Sequence, residues 1–170
     1  GTDEFAISAT GANPGGFVYL VDGLPKAGDL MPLNGHGTTV GEADFGDELA
    51  NVGDLDGDGR DDLAIGAPYH YLTWPSDAAT GLVCVMLSGT LTQGGPLDLD
   101  DCDYLAHGGT NAGAAMRGIA DLNGDGLREL VIGAPAWSGD GYFGDPRTYI
   151  VSGADIVNYN GSIQSLPLTA

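Results

Sequence analysis

Apolar positions in this chain are bunched rather than spread. Three runs stand out, at residues 16–23, 81–89 and 148–153, carrying Phe17-Val18-Tyr19-Leu20-Val21, Leu82-Val83-Cys84-Val85-Met86-Leu87 and Tyr149-Ile150-Val151. Near-continuous rather than alternating hydrophobicity predicts strands covered on both faces. A weaker outer strand is predicted after each, at residues 30–33, 103–106 and 163–168. Two shorter runs, Leu63-Ala64-Ile65 and Leu130-Val131-Ile132, each end in Gly-Ala-Pro. That reads as a buried strand stopped by a turn. The segments before the runs at 81–89 and 148–153, residues 69–79 (with Trp74-Pro75) and 137–147, are predicted as exposed insertions.

The polar stretch ahead of each short run carries the chemistry. Asp54-Leu55-Asp56-Gly57-Asp58-Gly59-Arg60-Asp61-Asp62 places carboxylates at loop positions one, three and five. In a tightly curled loop these can converge on one hard, oxygen-seeking cation such as Ca²⁺. Asp54, Asp56 and Asp58 are the expected side-chain ligands, Arg60 the expected carbonyl ligand with its side chain pointing away, and Asp62 the closing carboxylate. An EF-hand shares the opening spacing but needs Glu at position twelve and flanking helices. Position twelve is Ile65, inside a predicted strand, so an EF-hand is disfavoured.

The whole unit recurs. Asp121-Leu122-Asn123-Gly124-Asp125-Gly126-Leu127-Arg128-Glu129 again leads into an apolar run and Gly-Ala-Pro, 67 residues on (121 − 54). The second expected set is therefore Asp121, Asn123, Asp125, the Leu127 carbonyl and Glu129. Asn at position three lowers its charge, which predicts weaker binding there.

With Phe45-Gly46 before the first loop and Gly66-Ala67-Pro68 after it, the chain resembles the FG-GAP repeats of β-propellers, known from integrin α-subunits and bacterial secreted proteins. In the next repeat the first tag has become Ala112-Gly113, while Gly133-Ala134-Pro135 is kept. The resemblance implies an all-β fold of blades, each of four antiparallel strands, with calcium in a hairpin loop at the blade edge. It divides the chain into a partial repeat at 1–40, a full repeat at 41–107 and a nearly full repeat at 108–170. Residues 1–9 align on residues 59–67, so a third calcium site would need a segment ahead of Gly1.

Composition fits such a module. Thirty Gly and nine Pro among 170 residues suit short strands joined by turns. The 24 acidic residues against five basic ones give a net charge of −19, and Lys26 is the only lysine. That balance argues against nucleic acid and anionic membranes as partners. No apolar run is long enough for a membrane-spanning helix, and no targeting segment is visible. Cys84 and Cys102 could close an intrablade disulfide; the competing reading is two free thiols. His36, His70 and His107 read as ordinary loop residues, and no nucleophile elbow, phosphate loop or other catalytic constellation is evident.

The expected function is an extracellular or cell-surface, calcium-binding, non-catalytic module for adhesion, protein interaction or assembly. Its protein or carbohydrate ligand is not legible. A propeller portion of a secreted lyase or hydrolase is the second reading, and a subunit of an extracellular fibre or surface layer the third. Propellers close with about four to eight blades, whereas this chain holds about two and a half periods of 67 residues. Further blades are therefore expected from a longer chain or from other copies in an oligomer or fibre.

Overall fold

A computed structural model describes residues 4–10, 17–22, 45–70, 80–89, 95–97, 101–136, 145–159, 161 and 164–165. Its elements are, in chain order, β1 (Glu4–Ala9), β2 (Phe17–Asp22), β3 (Glu48–Gly53), β4 (Asp62–Ala67), β5 (Leu82–Met86), β6 (Gly95–Leu97), β7 (Tyr104–His107), β8 (Ala115–Ile119), β9 (Glu129–Ala134), β10 (Arg147–Ser152), α1 (Gly153–Val157) and β11 (Gln164–Ser165). The chain is all-β, with the strands arranged as propeller blades and one short helix among the described residues.

The central blade is the antiparallel sequence β3-β4-β5-β7. On one side lies β1-β2-β6 and on the other β8-β9-β10. Strand β5 is buried along its whole length, because alternate residues serve two cores. Val83 and Val85 pack with Leu130, Ile132, Tyr149 and Val151 of the third blade. Leu82, Cys84 and Met86 join Val18 of the first blade and Phe45. Both faces are covered, as the continuous apolar run predicts.

The equivalent strand of the third blade departs from that expectation. In β10 burial alternates: Tyr149 and Val151 are buried against the central blade, while Ile150 is 41% exposed. The face turned away from the central blade has no described element packed on it, so half the run stays at the surface.

The two tags have a shared geometry. The Gly46 N–H donates to the Gly66 carbonyl at 3.1 Å, and the Gly113 N–H donates to the Gly133 carbonyl at 3.1 Å. Both tag glycines have positive φ, 92° and 88°, which a side chain would disfavour. Losing the aromatic ring at Ala112 has thus left the backbone device intact, with Ala112 itself fully buried. Between blades the chains touch backbone to backbone. A Cβ on Gly66 would overlap the Gly113 carbonyl, and one on Gly118 would overlap the Val52 carbonyl.

The outer strands are only partly as expected. Strand β7 pairs with β5, but residues 164–165 of the expected 163–168 strand pair in parallel with β7 of the preceding blade, not with β10. The physical cause lies in the connection. Helix α1, capped by the Ser152 side chain, buries Ile156 in the interblade core, and Tyr159 then meets Tyr104 edge-on at 5.4 Å. The chain is thereby carried onto the rim of the central blade. Residues 30–33, 71–79 and 137–144 lie outside the described residues, as does His36. His107 is not a turn residue; it ends β7, opposite Leu82.

Candidate metal centre

Each acidic loop joins the first two strands of a blade, β3 to β4 and β8 to β9. A β-bulge at Asn51–Gly53 ends β3, and the Asn51 amide spans the loop to Asp61 at 2.9 Å. This removes Asp61 from the converging set. Inside the loop the backbone N–H groups turn inward onto the carboxylates. Asp54 accepts from Gly57 at 2.6 Å and Gly59 at 3.0 Å, and Asp56 accepts from Asp58 at 3.0 Å. The second loop repeats this pattern: Asp121 accepts from Gly124 at 2.6 Å and Gly126 at 2.9 Å, and Asn123 from Asp125 at 2.8 Å. These local bonds curl the loop and hold side-chain oxygens on its concave side.

Asp54, Asp56 and Asp62 bring one carboxylate oxygen each within 4.8 Å of one another, and Asp121, Asp125 and Glu129 do the same. Asp58 does not join the first group. Its carboxylate takes the Arg60 N–H at 2.8 Å, the Arg60 guanidinium at 3.2 Å and the Ser88 hydroxyl at 3.1 Å. The Arg60 side chain therefore folds back onto the loop instead of pointing away, because a guanidinium is attracted to the densest carboxylate cluster within reach. The Arg60 N–H, reinforced by the guanidinium and Ser88, holds Asp58 below the usual carboxylate range. In the second loop Leu127 offers no charge. Asp125 is held low first by the Leu127 N–H, then by Asn123 and Ser152, and it stays within the converging group.

The closing carboxylates are the buried ones. Asp62 and Glu129 are each 2% exposed. Burial pushes Asp62 up, opposed by N–H groups of Ser88 at 2.8 Å and Leu55 at 2.7 Å, one on each oxygen. Glu129 accepts from Leu122 at 2.7 Å through Oε2, while its buried Oε1 has no hydrogen-bond partner. A buried carboxylate oxygen left unpaired beside two further carboxylates is costly without a cation. The donor set is all oxygen, as Ca²⁺ prefers. These residues fit a hard divalent cation.

Two participants are absent from the set expected on sequence. Ser88 and Ser152 reach Asp58 and Asp125 from the ends of their blades' third strands. The shared Ser-Gly after each apolar run was the available signal. Gly153, next to Ser152, is wedged where a Cβ would crowd the Leu55 and Arg128 carbonyls at 2.7 and 2.6 Å, so it lies between the two loops. Elsewhere, Cys84 and Cys102 form a disulfide with Cα atoms 5.5 Å apart, tying β5 to the approach to β7. No described helix is long and apolar enough to cross a membrane.

Comparison with known proteins agrees with this architecture. The model of the FG-GAP repeat matches residues 45–86 and 118–145. Integrin alpha-PS2 of Drosophila melanogaster is 32% identical over 148 residues, covering 78% of this chain and 10% of the relative. Integrin alpha-3 of Cricetulus griseus is 36% identical over 123 residues, covering 71% and 11%. Integrin alpha-5 of Xenopus laevis is 28% identical over 192 residues, covering 96% and 17%. The chain spans between about a tenth and a sixth of the length of these relatives. On the matched repeats, the paired tags and the blade architecture, the chain belongs to the FG-GAP repeat family.

Proposed function

We propose that this chain is an extracellular, calcium-binding β-propeller module that mediates adhesion or protein interaction without catalysis. The observation that carries the metal part is the buried, unpaired Oε1 of Glu129 beside Asp121 and Asp125. Asp54, Asp56 and Asp62 form the companion site, with Asp58, Asn123 and the Arg60 and Leu127 carbonyls completing the two shells. Calcium would supply charge neutralisation, and the folded chain would gain stability in proportion to its binding. The residues themselves hold the loops curled. The adhesion part rests on the similarity to integrin α chains and on a strongly acidic surface that suits a calcium-containing medium.

Calorimetric titration with CaCl₂ and MgCl₂ tests the metal reading, with two calcium-selective sites expected. Heats indifferent to calcium, or unchanged by combined Asp54→Ala and Asp121→Ala substitution, would overturn it. Retention of the immobilised chain on arrays of matrix proteins and glycans, with calcium and with chelator, tests adhesion. Calcium-dependent retention supports it; turnover of a polysaccharide substrate by the same preparation would replace it.

A further inference from the structure

The second loop departs from the first at position three, where Asn123 stands in the place of Asp56 and is followed by Gly124. Asparagine before glycine is prone to deamidation, because with no side chain on the next residue its backbone nitrogen can reach the amide carbon. Asn123 and Gly124 are both exposed, so water reaches them. The same dipeptide at 34–35 and 160–161 lies outside the expected ligand sets.

The hydrogen bonds around the Asn123 amide match what that reaction needs. The Gly124 N–H, whose nitrogen is the nucleophile, donates to Asp121 Oδ1 at 2.6 Å, which places a carboxylate where the proton must go. The Asp125 N–H donates to Asn123 Oδ1 at 2.8 Å. That bond folds the side chain over the following peptide and puts a donor on the oxygen that gains charge under attack. The leaving nitrogen, Nδ2, donates to Asp125 Oδ2 at 3.0 Å and to the Ser152 hydroxyl at 3.3 Å.

We infer that Asn123 is a self-modification site, whose amide the loop itself converts into a carboxylate. The Gly124 nitrogen bonds to Asn123 Cγ as its proton passes to Asp121; the Cγ–Nδ2 bond breaks, and the amide nitrogen takes up a proton and leaves as ammonia. Water then opens the succinimide ring. Attack at Cγ restores the Gly124 N–H and leaves an aspartate at 123, whereas attack at the backbone carbonyl leaves an isoaspartyl link with an extra main-chain carbon. In sum, amide and water become acid and ammonia.

The two products act oppositely on the second cation site, and this consequence rests on the metal reading above, while the modification itself does not. The aspartyl form brings the loop to four carboxylates, matching Asp54, Asp56, Asp58 and Asp62. The isoaspartyl form pushes the N–H groups of Gly124 and Gly126 off Asp121 and spoils the curl. Bound calcium would engage the Asp121 carboxylate and hold the loop against ring closure, so the empty loop is the reactive one.

The test incubates the full chain at neutral pH with chelator, with calcium, and with chelator in urea, and maps the Asn123 peptide by mass spectrometry for amide-to-acid exchange. Conversion in the folded, chelated chain should be at least as fast as in urea. Asp121→Asn should slow it severalfold in the folded chain and leave the urea rate alone. Gly124→Ala, which crowds the attacking nitrogen, should slow it in both. Asn123→Asp should tighten the second site about tenfold by calorimetry. An Asn123 that stays intact when folded but converts in urea overturns the inference, as does a folded rate indifferent to both variants. Conversion in a chain that binds no calcium at all would sink the metal reading and leave the modification standing.

Discussion

The Ser88 backbone N–H donates to Asp62 Oδ1 at 2.8 Å, whereas the matching oxygen of the second loop, Glu129 Oε1, is buried with no partner. Two loops that share five of nine residues therefore differ in how much each depends on a cation. With chelator present, Glu129→Gln should raise the melting temperature, because it removes a half-paired buried carboxylate. In excess calcium the order should reverse. Asp62→Asn, which turns an amide toward an N–H donor, should cost about 1–3 kcal/mol in both conditions. Thermal melts in the two buffers check this, and the same ranking in both would count against a metal at Glu129.

Asp58 and Asp125 occupy the same loop position but have different neighbours. Asp125 belongs to its converging group, while Asp58 is held by Arg60 and Ser88. Calcium affinity should fall about tenfold or more for Asp125→Ala and less for Asp58→Ala. Arg60→Ala should free Asp58 and tighten the first site. Calorimetry on the three variants decides it; equal losses at both loops would show that the arginine clasp has no influence.

Backbone contact between blades makes a third expectation. Gly66→Ala and Gly118→Ala each force a methyl group onto a neighbouring blade's carbonyl. Each should cost about 1–3 kcal/mol, as overpacking does. Gly124→Ala, whose Cβ meets nothing within 4 Å but whose φ is +82°, should cost about 1 kcal/mol from backbone strain alone. Urea unfolding would separate the two mechanisms, and a neutral Gly118→Ala would mean that the blades sit farther apart.

Acid sensitivity should appear at His70. It is 9% exposed, and burial, with His107 nearby, holds its pKa below the ordinary 6.5. The unfolded chain then takes up a proton below pH 6.5 that the folded chain resists. Its contribution is therefore complete above pH 6.5 and is lost as pH falls through the depressed value. Melting temperatures from pH 8 to 5.5 should decline over the lower part of this range, and His70→Gln should flatten the decline. An unchanged slope in the variant would place the titrating group elsewhere.

Much of this protein was legible before any coordinates. The 67-residue spacing, the paired tags and the two acidic loops each arise from local constraints: glycines that permit positive φ, alternate carboxylates that curl a loop, and apolar runs that demand cover. Such constraints act within a few residues, so they leave a linear trace. What the tertiary structure decided involves partners far apart in the chain. Ser88 and Ser152 reach Asp58 and Asp125 across about thirty residues of chain, and Gln164–Ser165 leaves its own blade because Tyr159 finds Tyr104. Continuous hydrophobicity in β10 could not reveal that Ile150 faces outward while Tyr149 and Val151 are buried. Burial depends on which neighbour packs against a strand, and the strand's own residues state only that one is wanted.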